Sequence, residues 1–377
     1  MSRVRTRFAP SPTGFLHVGG LRTALYNYLF ARQNRGKFIL RIEDTDRARL
    51  VEGAEKNIIE TLRTFGLDFD EGPSRQSDNL EKYKKYSEEL VTKGAAYEDA
   101  GAVRFKMPKE GAAHFTDIIR GEIQIENKTQ EDFIILKSDG FPTYNLAHLV
   151  DDHDMAITHV IRGDEFISSM PKYIALHNAF GWELPQYAHL PLLLGKDRAK
   201  LSKREGDAAV KDFLDEGYLK EAILNFVALL GWHPKTEQEI FSLEDLIKEF
   251  KLEDVQKAGA IFDMAKLDWV NGEYIREKSP RELLELARTY FKTWTSDIQV
   301  DVRRPLDLEK IIALEQPRLK KLSELPERTD YFFKEPEYGI LLLKWKNMDN
   351  EEIKKSLELS AELLKAVSDK DFTKKNL

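Results

Sequence analysis

Between Arg7 and Gly20 the chain reads Arg7-Phe8-Ala9-Pro10-Ser11-Pro12-Thr13-Gly14-Phe15-Leu16-His17-Val18-Gly19-Gly20, and no other stretch constrains the fold as much. Just before it, Val4-Arg5-Thr6-Arg7-Phe8 alternates apolar and basic residues with the period of a short strand. Pro10, Pro12 and Gly14 then interrupt regular structure. From Val18 onward, Leu21, Ala24, Leu25, Tyr28 and Leu29 recur at helical spacing. The reading is strand, tight loop, helix. Lys37-Phe38-Ile39-Leu40-Arg41-Ile42 is the next strand, so the opening is a βαβ unit. Such a unit builds a parallel sheet that gathers ligands at the carboxyl ends of its strands.

Gly19 and Gly20 stand where the helix begins, and without side chains they let a ligand come close to the backbone. A helix start offers unpaired N–H groups and the positive end of its dipole, which favours phosphate. His17 lies directly before the glycines and can donate to the same phosphates. Alone, a short His-x-Gly-Gly motif is weak evidence, so a second phosphate-binding element is needed. The basic run Lys200-Leu201-Ser202-Lys203-Arg204 supplies one, following the apolar run Leu190-Pro191-Leu192-Leu193-Leu194-Gly195.

Together the two motifs resemble the paired signatures of class I aminoacyl-tRNA synthetases. The longer strings from Arg7 to Leu25 and from Arg41 to Arg49 resemble those of bacterial glutamyl-tRNA synthetases. The resemblance implies an α/β fold: a Rossmann-like, doubly wound parallel sheet with a small α+β insertion, followed by an α-helical C-terminal region. It implies a catalytic domain over residues 1–96 and 138–204, and a shortened insertion for the tRNA acceptor end at 97–137. A stem-contacting helical region at 205–290 and a partial anticodon-binding domain at 291–377 would follow. The helical stretch usual between Tyr97 and Val103 is almost absent here. Relatives also usually carry one more helical bundle beyond the point corresponding to Leu377.

The activity implied is ATP-dependent ligation of L-glutamate to tRNA(Glu) through glutamyl-adenylate, with Mg²⁺ accompanying ATP. His17 and Lys203 are the expected catalytic residues, and Gly19, Gly20, Lys200, Ser202 and Lys203 the expected ATP contacts. For glutamate the resemblance points to Arg7, Ala9, Ser11, Glu43, Tyr144, His148 and Arg162. Glu43 is expected to meet the substrate ammonium, Arg7 with Tyr144 the side-chain carboxylate, and Arg162 the other carboxylate. At the position of His148 many relatives have asparagine. Asp151, Asp152 and His153 are adjacent on a predicted helix and so do not face one way, which argues against a shared metal. Capping, or contact with the tRNA end, is the expectation for them, and no resident metal is expected.

Composition narrows the alternatives. The chain has 377 residues, enough for two or three domains. It contains no run of about 18 apolar residues, so no membrane-spanning helix or membrane partner is expected. Zero cysteines exclude disulfides and the thiolate zinc site of some relatives, and fit a reducing cytoplasm. A net charge of −7 requires any tRNA-binding surface to be concentrated in patches. Arg318-Leu319-Lys320-Lys321 and Lys344-Trp345-Lys346 are candidates, each also readable as an ordinary solvated face. Relatives are usually monomeric. A glutamyl-queuosine tRNA(Asp) synthetase normally ends soon after the second motif, whereas 173 residues follow Arg204 here. A glutaminyl enzyme usually differs from Arg41-Ile42-Glu43-Asp44-Thr45-Asp46. A catalytically inactive tRNA-binding paralogue would not be expected to keep both ATP motifs.

The remaining periodicity predicts strands over Ala102 to Met107, Gly121 to Ile125, Phe133 to Leu136, His159 to Glu165 and Tyr187 to Leu194. Helices are predicted over Glu52 to Phe65, Asn79 to Lys93, Phe141 to His153 and Ser168 to Phe180. Beyond Gly206 only helices are predicted.

Overall fold

The fold is described from a computed structural model, for residues 3–199, 201, 209–295, 307–333 and 338–368. The chain runs β1 (Arg5–Phe8), α1 (Val18–Gln33), β2 (Lys37–Ile42), α2 (Ala54–Thr64), β3 (Glu71–Arg75) and α3 (Leu80–Thr92). Strands β4 (Ala96–Asp99), β5 (Ala102–Phe105), β6 (Ala112–Asp117), β7 (Gly121–Glu126) and β8 (Phe133–Leu136) come next. Then follow α4 (Tyr144–Asp154), β9 (His159–Gly163), α5 (Met170–Phe180), β10 (Gln186–Leu190) and β11 (Leu193–Leu194). The rest is α6 (Val210–Asp215), α7 (Lys220–Ala228), α8 (Leu243–Glu249), β12 (Ala260–Ile261), α9 (Met264–Glu277), α10 (Pro280–Thr295), α11 (Leu308–Glu315), α12 (Leu325–Thr329) and α13 (Asn350–Ala366).

Parallel strands β1, β2 and β3 form one sheet in the order β1-β2-β3. A second sheet has the order β7-β6-β10-β9, with β9, β10 and β6 parallel and β7 antiparallel at the edge. The two meet where β1 passes the start of β9. There the Thr158 N–H donates to Arg5 O at 3.0 Å, and the Arg5 N–H to Thr158 Oγ1 at 2.9 Å. The strand order reverses at that seam, the position where such sheets bind ligands.

Both faces of this layer are buried, as parallel strands require. Phe38, Leu40, Ile42, Ile161 and Ala188 pack into one core with α1, whereas Ile39, Val160 and Tyr187 pack into a second with α4 and α5. Helix α1 is buried well beyond the predicted stripe: Leu21, Ala24, Leu25, Tyr26 and Leu29 all reach 0% exposure. It is covered by the sheet on one side and by α7 and α8 on the other, and the Tyr26 hydroxyl donates to Ala228 O and Leu230 O. A helix apolar on nearly every side is a core helix.

Three local expectations are corrected, and one strand, β3, was not predicted; it contains Gly72 and Pro73 and lies at the sheet edge, where proline is tolerated. The run Tyr187 to Leu194 is two strands, because Pro191 breaks it after Leu190. Among the described residues beyond Gly206 there is one short strand, β12, pairing in parallel with β11. Two residues are too few to show a period in the sequence. Helix α4 begins at Tyr144, not Phe141, since Pro142 disfavours helical backbone at the residue before it. In the segment expected to be an insertion, β4, β5 and β8 form a separate antiparallel sheet, while β6 joins the main layer through a Tyr187–Asp117 pairing. A third, smaller core gathers Leu219, Ala222, Val270, Ile275, Leu283, Ala287 and Ile312 from the helical half.

Candidate active site

Side chains alternate across a strand. Because Phe8, Leu40 and Ile161 face the α1 core, Arg7, Arg41 and Arg162 emerge on the other face, beneath α4 and α5. All three are almost fully buried. Three guanidinium ions in so dry a place need partners.

Asp152 provides for two of them. Its Oδ1 accepts from Arg7 Nε at 3.1 Å and from Arg41 Nη1 at 2.7 Å. Burial works against the Asp152 charge, but Arg7 and Arg41 overcome it and hold the carboxyl well below its usual range. Arg41 Nη2 also donates to Glu43 Oε1 at 3.1 Å. Burial pushes the Glu43 carboxyl up in spite of Arg41 and Arg7. Asp151 turns to the other side, where it accepts from the Tyr83 hydroxyl at 2.8 Å and from Gln76 Nε2 at 2.9 Å. The expected capping or tRNA role of this pair is therefore corrected: Asp151 and Asp152 are buried counter-ions and acceptors. His153 stacks on Trp182 with centroids 3.7 Å apart.

Arg162 is different. Among the described residues no carboxylate lies within ion-pair distance of it. Its partners are His189 Nε2 at 3.3 Å, the Tyr144 hydroxyl at 3.4 Å and the Met170 sulfur at 3.3 Å. The rings of Phe166, Tyr173 and Tyr187 surround its guanidinium at 4.7, 4.8 and 5.5 Å. Such an aromatic cage stabilises a cation without neutralising it.

A cleft of about 1360 Å³ opens at the strand ends over the seam between β1 and β9. Arg7, Ala9, Ser11, His17, Gly19, Gly20, Glu43, Tyr144 and Arg162 all line it. His17 caps α1, its Nδ1 accepting the Gly20 N–H at 3.4 Å. His148 is not brought to the wall. It lies one helical turn behind Tyr144, the rings stacked 4.4 Å apart, and its Nδ1 donates to Tyr144 O at 2.6 Å. Burial, aided by the Arg162 charge, keeps this imidazole neutral. Lys200, Ser202 and Lys203 lie outside the described residues. Leu201 between them is described, lines the cleft, and donates its N–H to Leu193 O at 3.0 Å. On the far side of that segment, Val210 N–H donates to Leu16 O, so its end returns to the His17 loop.

Sequence reasoning missed Arg41 and His189. The signal for Arg41 was an arginine inside an otherwise apolar parallel strand, whose charge cannot be buried without polar, acidic or aromatic partners. No group of three or more His, Cys, Asp or Glu suited to a metal exists among the described residues. None of the described helices is long and apolar enough to cross a membrane.

A family model described as tRNA synthetases class I (E and Q), catalytic domain, matches residues 3–102 and 98–269. The chain belongs to this synthetase family. A second model, the anticodon binding domain, matches residues 282–377. The glutamate–tRNA ligase of Clostridium tetani is 43% identical, over 97% of this chain and 84% of that protein. That of Clostridium novyi is also 43% identical, over 98% of this chain and 85% of its own length. A solved glutamate-tRNA ligase from Elizabethkingia meningosepticum, in complex with its amino acid, superposes with a TM-score of 0.82 at 33% identity. It covers 97% of this chain and 91% of that one. The resemblance to bacterial glutamyl-tRNA synthetases and the α/β class I fold with a helical C-terminal region are thus borne out.

Proposed function

We propose that the protein ligates L-glutamate to tRNA(Glu) at the expense of ATP. In the first step the glutamate α-carboxylate attacks the α-phosphate of ATP, giving glutamyl-adenylate and pyrophosphate. The terminal ribose hydroxyl of the tRNA then attacks the mixed anhydride and releases AMP. No protein nucleophile is required, so catalysis consists of positioning and of stabilising charge on the phosphates.

One observation carries this reading: a single cleft over the sheet seam holds both a glycine helix start and a caged arginine with no carboxylate partner among the described residues. The start of α1, with His17, Gly19 and Gly20, suits the triphosphate. Mg²⁺ arrives with ATP and neutralises part of its charge. Lys203 is assigned to the same phosphates, with Lys200 and Ser202 shaping its loop. Arg162 and Arg7 suit the two carboxylates of glutamate and Glu43 its ammonium, with Ala9 and Ser11 alongside. Tyr144 frames the carboxylate, and His148 supports Tyr144 from behind. The segment 97–137 is assigned to the tRNA acceptor end, 205–290 to the stem and 291–377 to the anticodon arm. A monomeric, cytoplasmic enzyme fits this reading. The glutamyl-queuosine and inactive-paralogue alternatives are not favoured, because relatives named glutamate–tRNA ligase align along nearly the whole chain.

The test is charging of purified tRNA(Glu), tRNA(Gln) and tRNA(Asp) with glutamate and ATP. Charging of tRNA(Glu) is expected; charging of tRNA(Asp) alone, or of neither, would overturn the reading.

A further inference from the structure

His189 and Arg162 are direct partners in the parallel register of β10 and β9, on the face that carries the site. His189 is fully buried, and its Nδ1 lies 2.6 Å from Asp117 Oδ2. Asp117 comes from the end of β6, at the turn into β7. Its two oxygens divide their work. Oδ1 accepts the turn amides of Ile119 at 3.0 Å and Arg120 at 2.9 Å, Oδ2 takes the imidazole, and the His189 N–H is shared, 3.1 Å from Oδ2 and 3.3 Å from Oδ1.

Proton bookkeeping then orders the two bonds that run from Asp117 through His189 to Arg162. An ionised carboxylate only accepts, so Nδ1 of His189 must carry the proton. Burial disfavours a charged imidazole here and outweighs the opposing hydrogen bond to Asp117, and the Arg162 charge beside it acts with burial. A neutral ring protonated at Nδ1 has a bare Nε2, and that lone pair accepts the Arg162 Nε–H at 3.3 Å. We infer that Asp117 and His189 are positioning residues that aim the Arg162 guanidinium into the cleft while leaving its charge available to a substrate carboxylate. A carboxylate in place of the imidazole would hold Arg162 as firmly but would neutralise it and compete with the substrate. Arg7 is held by a carboxylate, but only at Nε, and it shares the one charge of Asp152 with Arg41, so it too is left short of full neutralisation. The inference rests on the reading of Arg162 as a partner of glutamate.

Asp117→Asn keeps the turn, because the Asn carbonyl can still accept the Ile119 and Arg120 amides. Its NH₂ group then faces His189 Nδ1, forces the proton to Nε2, and sets N–H against N–H at Arg162. The expected result is an increase in KM for glutamate of about tenfold or more, with kcat and the KM for ATP changed by less than about twofold. The split follows because a contact made equally in ground and transition states moves KM alone. His189→Phe should behave likewise, whereas His189→Gln, which keeps one donor and one acceptor, should recover most of the loss. The assay is aminoacylation of tRNA(Glu), with melting temperature recorded for each variant. If Arg162→Lys raises the glutamate KM and Asp117→Asn does not, the positioning role is wrong. A fall in kcat at unchanged glutamate KM would also overturn it, as the mark of a merely structural residue. If Arg162→Lys itself leaves the glutamate KM unchanged, the assignment of Arg162 fails, and the inference with it.

Discussion

Arg7 and Asp152 stand 145 positions apart in the chain and meet at 3.1 Å with both side chains nearly inaccessible to water. The pair joins the first strand of the sheet to the helix that covers it. Because Asp152 also binds Arg41, one carboxylate holds two of the buried guanidinium ions of this face.

Asp152→Asn keeps the shape but removes the charge that balances Arg7 and Arg41. Breaking a buried pair by deleting one partner strands the other charge in a low dielectric, at a cost of about 3–5 kcal/mol. Urea unfolding should register a loss of that order. A change under about 1 kcal/mol would mean that water or Glu43 replaces Asp152 without penalty.

Arg7→Gln should reduce kcat/KM for glutamate and narrow the preference for glutamate over glutamine. A glutamine substrate turns NH₂ donors toward a cation and leaves it without a partner, which is how nearly isosteric molecules are separated. With Arg7 gone, part of that penalty disappears. Competition between the two amino acids in the aminoacylation assay measures the ratio, and an unchanged ratio assigns discrimination elsewhere.

Gly19→Ala separates stability from activity. An added Cβ would meet the His17 ring at 3.0 Å and press it out of its cap over the helix start. Alanine in a helix is itself favoured over glycine by roughly 0.5–1 kcal/mol. The variant should melt no lower than the parent and yet show a higher KM for ATP. Unaltered ATP kinetics would remove the His17–glycine cradle from the phosphate site.

Acid should weaken the fold before the carboxylates titrate. Burial lowers the His177 pKa to about 4, against 6.5 for an unperturbed histidine. Between those values the unfolded chain binds a proton that the native protein does not, so stability falls as pH drops from about 6.5 to 4. Burial lowers the His189 pKa as well, so it acts in the same direction. Denaturant unfolding at pH 7 and pH 5 should therefore show a loss, smaller in His177→Phe once each protein is referred to its own pH 7 value. An equal loss in both would exclude His177 as a source.

Local patterns in the sequence determined a good deal. The strand–loop–helix of residues 4–29, the second strand and the helices α2, α3, α5 and α13 follow from short-range periodicity, which needs no knowledge of what packs alongside. So did the placing of Arg7, Glu43 and Arg162 at strand ends, since those ends face one cleft in a parallel sheet. Tertiary structure alone decided the charge states and partners. Asp152 looks like a helix cap until α4 lies on the sheet and turns it toward Arg7 and Arg41. Apart from Phe166, nothing near Arg162 in the chain says that its neighbours are neutral rings; the register of β9 against β10 and the reach of β6 to Asp117 do. Ion pairing and burial depend on groups tens to more than a hundred positions away, and a dry interior magnifies each of those pairings far beyond what the same residues would feel in water.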